Sequence, residues 1–233
     1  MIREENILLY HAVCEDEDFP TSAGTNVTPA AFEEQLIYLA AHSTPLSLNA
    51  PVQPDSTRGR KSVVVTFDDG YADNYSIAYP LIKKYKIPVT FFLTVGMVGK
   101  DWDFPDGPYP GISWEDIREM NKDPLITFES HGYQHPDLTL LSQEESSMEI
   151  KSSRIILEEN IGETVRYFSY PFGSYNHKIV EQVRMAGYQG AFSVISGGQD
   201  EYSYRRILIS RRDNMFRFKL KLSPLYWPLR RIL

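Results

Sequence analysis

The chain has 233 residues, of which 42% are hydrophobic and 24% are charged, a composition that supports a packed core and argues against disorder. The net charge of −7 disfavours nucleic acid as a partner, because proteins that bind a duplex are usually basic. The length suits one α/β barrel and no composition break marks a second domain, so we expect a single domain over residues 1–233.

The amino-terminal segment and the cysteine content bear on where the protein works. Two acids precede a very short apolar run at the start of the chain, which is unlike a secretory signal. No apolar stretch approaches the length of a membrane span. The single cysteine, Cys14, cannot form an internal disulfide and leaves the redox compartment open. We therefore expect a cytoplasmic protein.

Short apolar runs in the sequence are typical of β-strands. Several are almost continuous in apolar and β-branched residues, such as VVVTF and VTFFL, which favours strands covered on both faces, as in parallel sheets. The predicted strands, of which the last is the weakest, are residues 7–10, 62–67, 89–93, 125–129, 167–170, 191–194 and 206–210.

Helical patterns lie between these runs. Thr28 caps a predicted helix that starts at Pro29, and Ser113 with Asp116 forms a predicted capping box. Strands that alternate with helices predict βαβ units and a parallel sheet. Residues 50–60 and 100–111 are interpreted as surface loops. The remaining predicted helices are residues 74–85, 142–160 and 176–186, and the last two end at Gly162 and Gly187.

Polar residues follow four of the predicted strands directly. The carboxyl ends of parallel strands converge on one face of the fold, where active sites are built, so residues distant in sequence would meet there. The residues concerned are His11, Asp68, Asp69, Gly70, Ser130, His131, Pro171, Phe172 and Gly173, with His135 four residues after His131.

Asp68 and Asp69 are adjacent carboxylates at the end of a buried strand. Such a pair is unfavourable unless each group is paired or binds a cation. Neighbouring strand residues point to opposite sides, so the pattern favours two separate roles over one shared proton. The alternative is structural, because Asp-Gly at positions 69 and 70 is a common turn dipeptide.

His131 and His135 have the spacing and residue type of metal ligands. Neutral imidazoles suit zinc or a similar divalent ion. Pro136 disfavours helical geometry at His135, which places the pair on a turn or loop. Two histidines and one aspartate would leave open positions on the metal, as hydrolytic sites require. Two ordinary surface histidines are the alternative.

Three further residues are candidates for the site. Arg166 precedes a predicted strand, and arginine is the usual partner of a carboxylate in a dry site, although a surface arginine at a strand edge is the alternative. The backbone N–H groups of Phe172 and Gly173 could point into the site. His11 follows the first strand, and a core histidine bonded to a backbone carbonyl is the alternative.

Three motifs in order resemble those of the polysaccharide deacetylase family, also called carbohydrate esterase family 4 or the NodB-homology domain. They are TFDDG (66–70), SHGYQHP (130–136) and RYFSYPFG (166–173), and KIPVTFFLTVG (86–96) is similar to the segment that follows the first motif. The resemblance spans roughly residues 7–210. It implies a distorted (β/α) barrel of about seven parallel strands.

The resemblance also implies an activity and a role for each matching residue. The activity is metal-dependent removal of N-acetyl groups from an N-acetylated glycan, with release of acetate. The cofactor would be a divalent metal, zinc first, with cobalt, nickel or iron as alternatives. The implied roles are Asp68 as catalytic base, Asp69, His131 and His135 as metal ligands, Arg166 as the arginine that orients the base, and Phe172 as donor of a backbone N–H to the oxyanion.

The chain departs from the family pattern in places. Gly132 stands where a serine or threonine often follows the first histidine. The usual carboxyl-terminal Leu-x-His is missing, since no histidine follows His177, but Leu9-Tyr10-His11 has the same form and resembles a permuted subset. We therefore expect His11 to be the general acid that protonates the leaving amine, with a pKa raised by a nearby carboxylate. His177 is its competitor, and His42 should face away from the site.

Other functions stay open at this point. Deformylation or deacetylation of a lipid-linked amino sugar would use the same residues. A non-catalytic glycan-binding domain and a nucleic-acid or protein-interaction module are disfavoured by the intact ligand motifs and by the acidic charge. Residues 216–233 carry five Lys/Arg residues and no acid. This tail is interpreted either as a helix that caps the barrel or as a peripheral contact with the inner face of a membrane.

Overall fold

A curled sheet of parallel strands forms the centre of the computed structural model, which describes residues 6–20, 24–49, 61–194, 197–198 and 200–229. The strands are β1 (Ile7–Tyr10), β2 (Ser43–Pro45), β3 (Lys61–Phe67), β4 (Val89–Leu93), β5 (Asp101–Phe104), β6 (Gly107–Pro110), β7 (Ile126–Ser130), β8 (Tyr167–Ser169), β9 (Gly190–Phe192) and β10 (Ile207–Leu208). Seven of them run parallel in the order β10-β1-β3-β4-β7-β8-β9, and β2 pairs with β3 beside this path.

Helices connect the strands and cover the outside of the curl. They are α1 (Pro29–His42), α2 (Tyr79–Tyr85), α3 (Trp114–Met120), α4 (Gln143–Ile161), α5 (His177–Met185), α6 (Met215–Lys221) and α7 (Tyr226–Leu229), and a π-helical turn, Asn74–Ala78, leads into α2. Local sequence fixes their ends: Thr28 caps α1, and Ser113 with Asp116 forms the predicted capping box of α3. The predicted single α/β domain with a distorted barrel is confirmed.

The side chains of β3 show how the fold separates core from site. Because strand residues alternate between faces, Val63, Val65 and Phe67 pack outward against the helices. Val64 points into the curl, where it packs in a small apolar cluster with Phe92 and Phe192. The same inward face continues through Thr66 to Asp68, and both are buried. The interior is therefore apolar at one end and polar at the carboxyl ends of the strands.

A short segment, residues 204–208, spans the gap between the two edges of the sheet. Tyr204 forms a parallel bridge with Phe192 of β9, and β10 pairs with β1 three residues later. Arg206 lies between these two pairings and is almost fully buried, at 1% exposure. We call residues 204–208 the closing segment, because it brings an arginine into the interior of the curl.

Two regions differ from the expectation drawn from sequence. The loop predicted at 100–111 contains a hairpin of β5 and β6, and its prolines and acidic residues hide the strand pattern. Aromatic packing stabilises this hairpin, since Trp102 and Tyr109 both contact the ring of Tyr71. The short β2 was not predicted either. The loop predicted at 50–60 lies outside the described residues.

The described part of the carboxyl-terminal tail packs on the domain. Phe218 of α6 is fully buried and contacts the ring of Tyr38 on α1, while Phe216 is 76% exposed. Lys221 binds the carboxylate of Asp213. These contacts agree with a capping helix for α6, and membrane contact stays a prediction. In the described parts of the chain, no helix has the length and apolar character needed to span a membrane.

Candidate active site

The two adjacent aspartates stand at the end of β3 and point in different directions, as predicted. Asp69 has a left-handed backbone, with φ of 74°, and Gly70 follows with φ of 83°. A β-carbon at position 70 would lie 2.8 Å from a methyl group of Leu93, so this turn requires glycine. The turn directs Asp68 to one set of partners and Asp69 to another.

Asp69, His131 and His135 converge on one point. The distance between Oδ1 of Asp69 and Nε2 is 3.4 Å for His131 and 3.3 Å for His135, and the two Nε2 atoms are 3.2 Å apart. The three potential ligand atoms therefore form a nearly equilateral triangle. His135 reaches it because its backbone is left-handed, with φ of 63°, so the pair lies on a turn as predicted.

The triangle fits a tetrahedral metal ion. In a tetrahedral site with metal–ligand distances of about 2.0–2.1 Å, the ligand atoms lie about 3.3–3.4 Å apart, close to the observed sides. Oδ1 of Asp69 is buried and accepts no hydrogen bond from any described residue, as expected of an atom that a cation would bind. Two imidazole nitrogens and one carboxylate oxygen suit zinc and related ions and leave an open position.

The surroundings of the triad orient one imidazole and shift the pKa values of its members in different directions. Nδ1 of His131 lies 2.8 Å from the carbonyl oxygen of Ser169, so the carbonyl accepts the Nδ1 proton and Nε2 is left free. Burial lowers the pKa of His135 to about 4, which favours its neutral form. Burial acts to raise the pKa of Asp69, but the neighbouring imidazoles of His131, His135 and His11 outweigh it and lower the pKa overall. Burial acts to lower the pKa of His131, but Asp68 and Asp69 outweigh it and raise the pKa, so a cation would have to displace a proton from this imidazole.

Asp68 is held by a buried arginine. Nη1 and Nη2 of Arg206 donate to its two carboxylate oxygens at 2.7 and 2.6 Å, and the hydroxyl of Ser169 donates to Oδ2 at 2.9 Å. Burial acts to raise the pKa of Asp68, but the charge and hydrogen bonds of Arg206, together with His131 and His11, outweigh burial and lower the pKa. A carboxylate has about four acceptor sites, so one on Oδ1 stays available. Asp68 is thus an ionised group, its Oδ2 3.7 Å from Nε2 of His131.

The prediction that Arg166 orients Asp68 was wrong. Arg166 precedes the amino end of β8, where its backbone N–H donates to the carboxylate of Glu129. Asp68 instead meets Ser169, at the carboxyl end of that strand. Arg206 was within a predicted strand, but its role was missed because nothing in the sequence indicates that the closing segment passes between β9 and β1.

His11 lies close to the carboxylates, but the predicted direction of its pKa shift was wrong. Asp69 and Asp68 both act to raise the pKa, yet burial outweighs them and lowers it. Nδ1 of His11 is buried and has no hydrogen-bond partner among the described residues. His177 is exposed at the start of α5. His42 stacks on Tyr38 at the end of α1, away from the site as predicted.

Phe172 stands at the rim of the triad. Its side chain is 67% exposed, and its ring centroid lies 4.6 Å from that of His135. A left-handed backbone, with φ of 59°, turns the chain at this point. The ring of His135 also packs edge-on against Trp102 of the β5–β6 hairpin. The role of the Phe172 backbone N–H as a donor to an oxyanion stays a prediction.

Comparison with known proteins finds a matching family and several relatives. Residues 55–191 match the model of the polysaccharide deacetylase family. The chain is 29% identical over 214 residues to YxkH of Bacillus subtilis, covering 88% of this chain and 71% of the relative. It is 29% identical over 214 residues to poly-beta-1,6-N-acetyl-D-glucosamine N-deacetylase of Staphylococcus aureus, and this match covers 84% of this chain and 71% of the relative. A crystal structure of a polysaccharide deacetylase from Bacillus cereus superposes with a TM-score of 0.77 at 25% identity. The superposition covers 94% of this chain and 68% of that chain.

The burial of Arg206 predicts a large difference between two arginine variants. Arg206→Ala should lower the free energy of unfolding by about 3–5 kcal/mol, because it leaves the buried carboxylate of Asp68 uncompensated. Arg166→Ala is the control and should change it by about 0.5 kcal/mol or less, since this side chain is partly exposed. Urea unfolding measures both. Equal losses in the two variants would contradict the assignment of Arg206.

Proposed function

Because this chain belongs to the polysaccharide deacetylase family, we propose that it is a metal-dependent hydrolase that removes N-acetyl groups from an N-acetylated glycan and releases acetate. One observation carries the proposal: three potential ligand atoms form a triangle that would be one face of a tetrahedral metal site, while Arg206 donates to both oxygens of the adjacent Asp68. The site therefore has a place for a Lewis acid and a separate ionised base, which amide hydrolysis by water requires.

The residues divide the reaction between them. A divalent cation held by Asp69, His131 and His135 would supply Lewis acidity, which lowers the pKa of a water molecule and polarises the acetyl carbonyl. Asp68 takes the proton of the attacking water through the acceptor site left on its Oδ1, and Arg206 keeps that carboxylate ionised and oriented. The backbone N–H of Phe172 donates to the oxyanion, a contact worth about 10²–10³ in rate in other hydrolases.

The departing amine needs a proton, and His11 is the proposed donor. His11 is not one of the metal ligands, and both Asp68 and Asp69 act on its pKa. The competing candidate, His177, is exposed on α5. Burial favours the neutral imidazole, so His11 must gain its proton from solvent or from another group during the catalytic cycle. The carboxylates on the same face favour that charged state when it forms.

The glycan class is proposed from the relatives. The Staphylococcus aureus relative is named for poly-beta-1,6-N-acetyl-D-glucosamine, so β-1,6-linked N-acetylglucosamine oligomers are the first substrate to test. A panel with β-1,4-linked oligomers and a lipid-linked N-formyl or N-acetyl amino sugar separates the proposed activity from the alternatives. Release of neither acetate nor formate from any of these substrates would leave a glycan-binding domain as the function.

Substitution of Asp68 and of Asp69 by asparagine should affect zinc binding and activity differently. Asp68→Asn should retain zinc after dialysis but lose acetate release by about 10²–10⁴, because the base is removed while the triad is intact. Asp69→Asn should lose zinc and activity together, since its Oδ1 is one corner of the ligand triangle. Zinc content by atomic emission and acetate release on the oligomers measure the two effects. Equal zinc loss in both variants would mean that base and ligand are wrongly assigned.

His11→Ala should separate amide from ester hydrolysis. The variant should keep its zinc and lose about 10²–10⁴ in acetate release from an N-acetylated oligomer, which is the usual worth of one acid. It should lose much less on an aryl acetate with a good leaving group, which departs without a proton. His177→Ala is the matched control and should retain both activities. A parallel loss on amide and ester, or the amide defect in His177→Ala instead, would exclude His11 as the acid.

A further inference from the structure

Tyr71 lies beside the metal triad and contacts the oxygen of Asp69 that faces away from it. Its hydroxyl donates to Oδ2 of Asp69 at 2.7 Å, in a site where Tyr71 is 3% and Asp69 7% exposed. Oδ1 of the same carboxylate faces the two histidines and accepts no hydrogen bond from a described residue. The two oxygens therefore have different surroundings.

This difference has a consequence for metal binding. A free carboxylate can bind a cation through one oxygen or both, and it can rotate between them. The Tyr71 hydroxyl takes one of the two acceptor sites on Oδ2 and holds the carboxylate so that Oδ1 completes the triangle with His131 and His135. Resting on the proposed metal-dependent function, we propose that Tyr71 is a positioning residue that makes Asp69 a one-oxygen ligand in a fixed orientation.

The backbone of Tyr71 is fixed from both sides, so the hydroxyl cannot easily move away. Residues 70–72 pair with residues 110–112, through the bridge of Tyr71 to Gly111 and through backbone hydrogen bonds of 2.9 Å from Ala72 to Pro110 and from Ile112 to Gly70. These bonds tie the turn after β3 directly to the end of the β5–β6 hairpin.

Aromatic neighbours also hold the ring of Tyr71 in place. It packs edge-on against Phe19, Trp102 and Tyr109, with ring centroids 5.7, 5.4 and 5.3 Å away. Trp102 in turn contacts His135, so the same hairpin supports two members of the triad. Partners of this kind around a metal site typically change metal affinity by about 10–100-fold when they are removed.

Tyr109 provides a matched control within the same cluster. It is also a buried tyrosine, and its ring contacts that of Tyr71, but its hydroxyl donates to Asp73 at 3.0 Å and not to Asp69. Both Tyr→Phe substitutions remove one buried hydroxyl bonded to one carboxylate. A general loss of packing or stability should therefore affect the two variants alike, while an effect through Asp69 should appear only in Tyr71→Phe.

The test is the zinc affinity of the full chain, measured by competition with a chromophoric chelator at fixed pH. Tyr71→Phe should bind zinc about 10–100-fold more weakly than the wild type, and Tyr109→Phe should stay within about threefold. Acetate release by Tyr71→Phe should be deficient at limiting zinc and should recover at saturating zinc. Urea unfolding of the metal-free proteins shows whether both variants retain the fold.

Each other outcome would overturn a defined part of the reasoning. Equal zinc affinity in Tyr71→Phe and the wild type, or an equal loss in Tyr109→Phe, would overturn the role of Tyr71 while leaving the proposed function intact. No zinc binding by the wild-type protein would overturn the proposed metal-dependent function and the role of Tyr71 with it. Loss of fold in Tyr71→Phe, with Tyr109→Phe still folded, would make Tyr71 a stability residue and contradict the proposal.

Discussion

The paired hydrogen bonds between Arg206 and Asp68 are the interaction on which the rest of the site depends. Two adjacent carboxylates at the end of a buried strand would repel each other, and a cation would draw both towards it. The guanidinium of Arg206 donates to both oxygens of Asp68, at 2.7 and 2.6 Å, and helps to lower the pKa of this carboxyl group. The negative charge of Asp68 is therefore balanced by an arginine and does not need a metal ion. Asp69 is then the carboxylate left to complete the ligand triangle with the two histidines.

The barrel provides the environment that this ion pair needs. The inward face of the curl is apolar at Val64, Phe92 and Phe192 and polar at the carboxyl ends of the strands. The guanidinium carbon of Arg206 lies 5.3 and 5.9 Å from the centroids of Phe92 and Phe192, so the cation rests on the apolar floor while its N–H groups face Asp68. Ser169 links the base to the metal triad. Its hydroxyl donates a hydrogen bond to Asp68, and its carbonyl oxygen accepts one from Nδ1 of His131.

Sequence patterns reveal the elements of this fold better than the connections between them. Strand patterns and strand-end positions were enough to place Asp68, Asp69, His131 and His135 on one face, because each follows a buried apolar run. Arg206 could not be found in this way, since its partner lies 138 residues away in sequence and the closing segment has a two-residue strand. Tyr71 was missed for a similar reason, because its role depends on a hairpin whose prolines and acids resemble a loop. His11 was placed near the site, but burial, which a local pattern does not report, reversed the predicted shift in its pKa.

A crystal structure of the zinc-loaded protein, with anomalous scattering at the zinc edge, tests the separation of the two aspartates most directly. The expected result is one zinc ion bound by Oδ1 of Asp69 and Nε2 of His131 and His135, at about 2.0–2.2 Å each, with Asp68 still paired with Arg206. Zinc bound by Asp68, with Arg206 displaced from its carboxylate, would contradict the assignment of one aspartate as base and the other as ligand. Zinc bound elsewhere on the chain would contradict the metal centre itself.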